Sequence, residues 1–166
     1  MSMQQLQSQQ QGRLLLNRSQ TIVEIFIALM IFSIAFISLI VLVNNYIKIL
    51  KTAKDRIIAN FLAQEGIDLV IAKRNINKAQ KLNWLDGFYN NFCIDINLNI
   101  IQSNDISNCP LYINNNQFTH TPSSTSTTFS RLISLTTSTH IATVTSMVQF
   151  EDQTVELQTI ITDWIP

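Results

Sequence analysis

The side chains with which this chain could do chemistry are few: 2 cysteines, 2 histidines and 11 carboxylates among 166 residues. His120 and His140 stand in separate stretches crowded with serine and threonine. No HExxH, GxSxG, GxGxxG or Walker A pattern occurs, so no nucleophile is paired with a base and no phosphate cradle is spelled out. Asp95, Asp105, Glu151 and Asp152 fall where loops or solvent-facing positions are expected. Catalysis is therefore not expected, and neither a metal nor a cofactor is called for. The two cysteines enclose C-I-D-I-N-L-N-I-I-Q-S-N-D-I-S-N-C, with no CxxC and no histidine nearby, a poor arrangement for a metal or a redox pair. In an oxidising compartment Cys93 and Cys109 are expected to close a disulfide contributing ~3 kcal/mol; in a reducing one they would be two buried thiols.

The remaining candidate is Glu24, because of the long apolar run on its C-terminal side. Residues 25–43 carry no charge, and only Ser33 and Ser38 interrupt that run. At ~1.5 Å per residue this is about 28 Å of helix, close to the ~30 Å hydrocarbon core of a bilayer. Apolar residues occupy every face rather than one stripe, which argues for a membrane span over an interfacial helix. A carboxylate within such a span costs about 2.5 to 3.5 kcal/mol on insertion scales and usually has a partner. At the edge of the span it would instead be an interfacial acid favoured by the helix dipole.

Arg18, the small residue Ser19, then Q-T-I-V-E and the long apolar run together resemble the processing site of type IV prepilins and type II secretion pseudopilins. The resemblance is specific over residues 18–43 and loose elsewhere. It implies cleavage after Ser19 by a prepilin peptidase, a mature and N-methylated start at Gln20, and Glu24 as the assembly acid that pairs with a neighbouring subunit's N-terminal amine. Two residues depart from the family pattern: Ser19 replaces the usual glycine and Gln20 the usual phenylalanine. The stretch A-N-F-L-A-Q-E-G-I also looks like one that comes after the span in pilin-like sequences.

Residues 1–19 carry Arg13, Arg18 and a glutamine-rich run but no acid, a polar leader ahead of the span and not a secretory signal with an A-x-A-like site. Positive charges alone would place the C-terminal side in the cytoplasm, since Lys48, Lys51, Lys54 and Arg56 outnumber Arg13 and Arg18. The processing motif and the cysteines place it outside, and that orientation is the one expected. Lysine plus arginine balance aspartate plus glutamate at 11 each, so nothing draws the chain toward nucleic acid.

Beyond the span, spacings of three, four and seven at Leu50, Ala53, Ile57 and Phe61, then at Leu62, Leu69, Ala72 and Ile76, predict an amphipathic helix with that stripe buried. Trp84, Phe88 and Phe92 are expected as a helical turn of core residues near an Asp86-Gly87 turn. Alternation at Ile94, Ile96, Leu98 and Ile100 predicts one short strand, and residues 119–130 a solvated Ser/Thr loop. Residues 129–135, 140–150 and 154–161 read as strands, the last two a hairpin reversing at Glu151-Asp152-Gln153 with Ala142, Val144, Val148 and Phe150 on one face.

The expected fold is α+β: a long N-terminal helix packed on a small antiparallel sheet. Residues 1–19 are the leader, 20–45 the transmembrane and assembly helix, 46–78 its amphipathic continuation, and 79–166 the head. The expected function is that of a filament subunit, a pilin or pseudopilin, in the cytoplasmic membrane with its head outside. Its partners would be prepilin peptidase, related subunits, an assembly platform and lipid. The alternative is an uncleaved single-pass anchor carrying an adhesive or ligand-binding head.

Overall fold

From Met3 to Ala79 the backbone forms one α-helix, α1. The computed structural model describes the backbone of residues 3–122 and 125–163, with side chains from Ile22 onward in those ranges. Two compact units divide the chain, Met1–Lys51 and Thr52–Pro166.

In the first unit every described side chain is exposed. The two polar interruptions of the apolar run are satisfied locally: Ser33 Oγ donates to the Leu29 carbonyl at 2.7 Å and Ser38 Oγ to the Ile34 carbonyl at 2.9 Å. Back-bonding of this kind lets a hydroxyl sit in an apolar helix without an unmet donor.

In the second unit the C-terminal part of α1 lies on a seven-stranded antiparallel sheet, an α+β arrangement. The strands are β1 (Asn91–Ile94), β2 (Ile100–Gln102), β3 (Pro110–Asn114), β4 (Gln117–Thr119), β5 (Thr125–Thr137), β6 (Ile141–Phe150) and β7 (Gln153–Thr162). β5 is the organiser. Its residues 129–137 pair with β6 along one edge. The other edge is shared by two short strands in succession, β3 along residues 125–130 and β1 at Ile133 and Ser134. Each short strand carries its own hairpin partner, β2 on β1 and β4 on β3.

The helix face against the sheet differs from the expected stripe. Ile57 and Phe61 are 57% and 68% exposed, and the buried residues are Ala59, Leu62, Ala63, Gly66 and Val70. The reason is steric: a Cβ at Gly66 would lie 2.6 Å from Ser146 Oγ and 2.8 Å from Ile133 Cδ1. Only small residues let the helix backbone approach this closely, so size overrides the count of apolar residues. The helix ends in a Schellman arrangement with Lys81 at φ 60°, Leu82 N donating to Asn77 O and Lys81 N to Lys78 O. The buried Asn77 amide then donates to the Asp86 carbonyl at 2.8 Å and holds the adjoining turns against the helix end.

Three further expectations are corrected. The apolar alternation of residues 94–100 is a hairpin rather than one strand. Asp95 Oδ1 accepts from Ile96 N at 2.7 Å, Leu98 sits at φ 61°, and Ile94 pairs with Ile100 across the loop. Local aspartate bonding competes with the extended ladder and wins. Phe92 belongs to β1, while Trp84 and Phe88 sit in a succession of turns with Gly87 at φ 78°; Trp84 and Phe92 are core, with Phe88 packed against them. The Ser/Thr segment is largely strand: Thr119 ends β4 and residues 125–130 open β5, while Ser123 and Ser124 lie outside the described residues. There β5 bulges against β3, and Thr127 Oγ1 donates to the Leu111 carbonyl at 2.6 Å across the irregularity.

The β6–β7 hairpin is as expected, with Phe150 opposite Gln153 around Glu151 and Asp152, and Ala142, Val144, Val148 and Phe150 buried on one face. The core falls into two clusters along the helix. One gathers Val70, Trp84, Phe92, Ile94, Ile133, Leu135, Ala142, Val144 and Ile161. The other gathers Ala59, Leu62, Ala63, Leu111, Phe129, Val148 and Phe150.

Candidate functional site

Glu24 and the helix beyond it are the first candidate. Ile22–Ala79 contains the one described segment long and apolar enough to cross a membrane, with mean hydropathy 3.0 over its best window and none of that window buried. Phe26, Met30, Phe32 and Leu42 are 64 to 68% exposed. Glu24 is exposed, and none of the described residues pairs with it. Ser19 and Gln20 lie within α1, but their side chains fall outside the described residues. What this unit offers chemically is uncovered apolar surface with a single carboxylate before it.

The second candidate lies in the head, where β1 and β3 meet along β5. Neither strand covers Leu132, and the sheet is open at that seam. Cys93 and Cys109 close it from the face away from the helix: they are joined by a disulfide, Cα atoms 5.7 Å apart, and pack with Leu132 in a small cluster. Arg131 N donates to the Cys109 carbonyl at 3.0 Å, so the bridge also fixes the backbone beside the seam.

From the helix side the seam is filled by Arg131, fully buried. Its guanidinium donates to Leu62 O at 3.1 Å, to Glu65 Oε2 at 3.2 Å and to Ile94 O at 2.9 Å. One side chain thereby ties the helix to the end of β1. Burial lowers the Arg131 pKa, opposed by the charges of Glu65 and Asp95. Asp95, expected on a solvent face, is buried instead. His120 completes the group: its Nδ1 is 3.0 Å from the Pro110 carbonyl, to which it donates, and its buried Nε2 has no partner among the described residues. Burial first, then the neighbouring Arg131 charge, push the His120 pKa down to about 4, so the ring is neutral near pH 7.

Sequence reading missed this polar layer. Its signal was the alternation Phe129, Arg131, Ile133, Leu135, which puts an arginine on the apolar face of β5, opposite a helix with Glu65 beside Gly66. The arrangement is suited to holding structure: Arg131 bonds to two backbone carbonyls and to Glu65, and thereby to both the helix and β1. His140 is exposed at 3.6 Å from Asp163, which also pairs with Lys78. Asp105 caps a 3₁₀ turn at Ile106–Asn108 by accepting from Ser107 N at 3.0 Å, which lowers its pKa. No group of three or more His, Cys, Asp or Glu residues able to hold a metal ion occurs among the described residues. No protein-family model matches the chain, and no curated protein and no solved structure matches it.

Proposed function

We propose that this chain is a prepilin-like filament subunit. It enters the cytoplasmic membrane through the helix after Glu24, is cut between Ser19 and Gln20 by a prepilin peptidase, and is N-methylated at Gln20. It then polymerises with copies of itself or related subunits, on a membrane assembly platform, into a pilus or pseudopilus with its head outside the cytoplasm. The observation that carries the reading is that every residue from 22 to 51 is exposed, with Glu24 unpaired among the described residues. Apolar surface of that extent must be covered by lipid or by other helices. In a lipid-free filament the cover would come from neighbouring helices, and Glu24 would pair with a neighbour's Gln20 amine, since each charge buried alone is prohibitive and the two together are tolerable.

The processing step is tested on native protein by N-terminal sequencing. The mature chain is expected to start at Gln20, Ser19→Gly to be cut at least as well, and a bulky Ser19→Leu to accumulate uncut. A native chain that retains its leader would contradict the reading and favour a permanent single-pass anchor.

A further inference from the structure

We infer that the head carries a binding groove for a neutral saccharide, formed where the turns after α1 face the reversal between β5 and β6. The groove is shallow and open, with a volume of about 480 Å³. Asn83, Asp86, Gly87 and Phe88 lie along one wall, and Thr137, Ser138 and Thr139 along the other. Both walls are set by the fold. Asn77, buried at the helix end, donates to the Asp86 carbonyl, Asn83 Oδ1 accepts from Leu85 N at 3.0 Å, and Phe88 N donates to Leu85 O at 3.2 Å. Across the groove Ser138 N donates to Ile141 O at 2.7 Å and closes the reversal. A site held this way loses little freedom on binding. Gly87 has nothing within 4 Å of where a Cβ would stand, so its wall is open to a ligand.

The chemistry of the lining selects the class of ligand. Among the described residues no lysine, arginine or histidine lines the groove, so an anion would find no counter-charge. Asp86 is a single carboxylate, too little for a divalent cation that needs several oxygens, and its own carbonyl is already taken by Asn77. The surface is mainly polar, which argues against an apolar ligand. What the groove offers is three hydroxyls that both donate and accept, a carboxylate that accepts, and an Asn83 amide with its Nδ2 left to donate. The half-buried Phe88 stands beside them. A sugar ring presents the matching mixture: hydroxyls that donate and accept around its rim, and C–H faces that pack against an aromatic.

These groups are also available. Asp86, Thr137, Ser138 and Thr139 are exposed, and none of their side chains bonds to another described residue. Two other grooves of the head differ in this respect. In the one beside the β1–β2 hairpin, Ser103 Oγ donates to Asp105 O and Asp105 Oδ1 accepts from Ser107 N, so the polar side chains serve their own loop. In the one beside His140, Asp163 is already paired with Lys78. The saccharide groove lies wholly in the head and uses neither Ser19 nor Glu24, so it does not rest on the filament reading.

The test uses the full-length chain, reconstituted at many copies per phosphatidylcholine vesicle and passed over an array of immobilised neutral and sialylated oligosaccharides. Many weak contacts on one surface add up to measurable retention. Retention on neutral glycans is expected, and none of protein-free vesicles. Asp86→Ala should lower binding by about tenfold or more, because a charge-assisted hydrogen bond is lost, and Thr137→Ala or Thr139→Ala by about threefold to tenfold. Asp105→Ala, in the other polar groove, should bind as wild type. Thermal midpoints of the Asp86, Thr137 and Thr139 variants should match wild type, since these side chains bond to no other described residue. Competition by a free hexose marks a site for one sugar, competition only by disaccharides and longer marks a site for a chain, and both support the inference. It is overturned by wild-type vesicles that no neutral glycan retains, by retention that survives Asp86→Ala combined with Thr139→Ala, or by preference for the sialylated set. Glu24→Gln should bind saccharide as wild type, which separates this failure from failure of the filament reading.

Discussion

The two units of this chain meet the same physical demand in opposite ways. Thr52–Pro166 buries its apolar residues in two clusters along the helix and a third around the disulfide, and Arg131 bonds to Leu62 of one helix-side cluster and Ile94 of the other. Met1–Lys51 buries none of its described side chains. The head is therefore a self-contained fold, whereas the helix of the first unit is a surface waiting for a solvent or a partner. Changes in the head should alter its stability without touching insertion or processing, and changes at Glu24 should do the reverse.

The largest effect is expected at the polar layer. Arg131→Ala leaves the Ile94 and Leu62 carbonyls without their donor and Glu65 without its counter-charge. A loss of ~3 to 5 kcal/mol is expected for breaking a buried pair, read by denaturant unfolding of the detergent-solubilised chain through Trp84 fluorescence. Membrane level and the N-terminus of whatever folds should be unchanged. Next, replacing both Cys93 and Cys109 by alanine should cost ~3 kcal/mol for a bridge that closes a 16-residue separation. The loss should appear first as faster amide exchange in the β1–β2 hairpin, which the bridge ties to β3. Uniform destabilisation with no local signature would mean that the seam is held by Arg131 alone.

A smaller effect should accompany a change of pH. His120 has a folded pKa of about 4, below its ordinary 6.5, so the fold favours the neutral ring. The stability this contributes is complete above pH 6.5, declines as pH falls through 4, and is absent below. The expected loss is about 1 kcal/mol by pH 5.5 and reaches about 3 kcal/mol below pH 4. His120→Gln should remove that slope, leaving only the carboxylate-dependent loss at lower pH, and the helix of the first unit should show no corresponding transition.

Legibility in the sequence divides along the same line. The long apolar helix was legible because residues 25–43 carry no charge, and the β6–β7 hairpin because Ala142, Val144, Val148 and Phe150 alternate with polar residues along a single strand. The cysteine pair was legible through the absence of other ligands. What escaped were features decided by tertiary contact. The stripe at Ile57 and Phe61 was overridden by the need for Ala59, Ala63 and Gly66 at the closest approach. The β3–β4 hairpin was hidden in a run of asparagines, two of which, Asn115 and Asn116, take positive φ and make its turn. Arg131 was hidden because one charge within an apolar alternation says nothing of its partners 66 residues away.

The central claim, that the uncovered helix is an assembly surface keyed by Glu24, is tested most directly by Glu24→Gln. Membrane level, N-terminal processing, head stability and sheared surface filaments would be measured in one strain. The substitution should leave the first three at wild-type values, because it removes a charge from the edge of the hydrocarbon and touches nothing in the head. Filament yield should collapse, since a neighbour's buried Gln20 ammonium then lacks its counter-charge, a penalty of ~3 to 5 kcal/mol per subunit contact. Normal filament yield from fully processed Glu24→Gln protein would contradict the account.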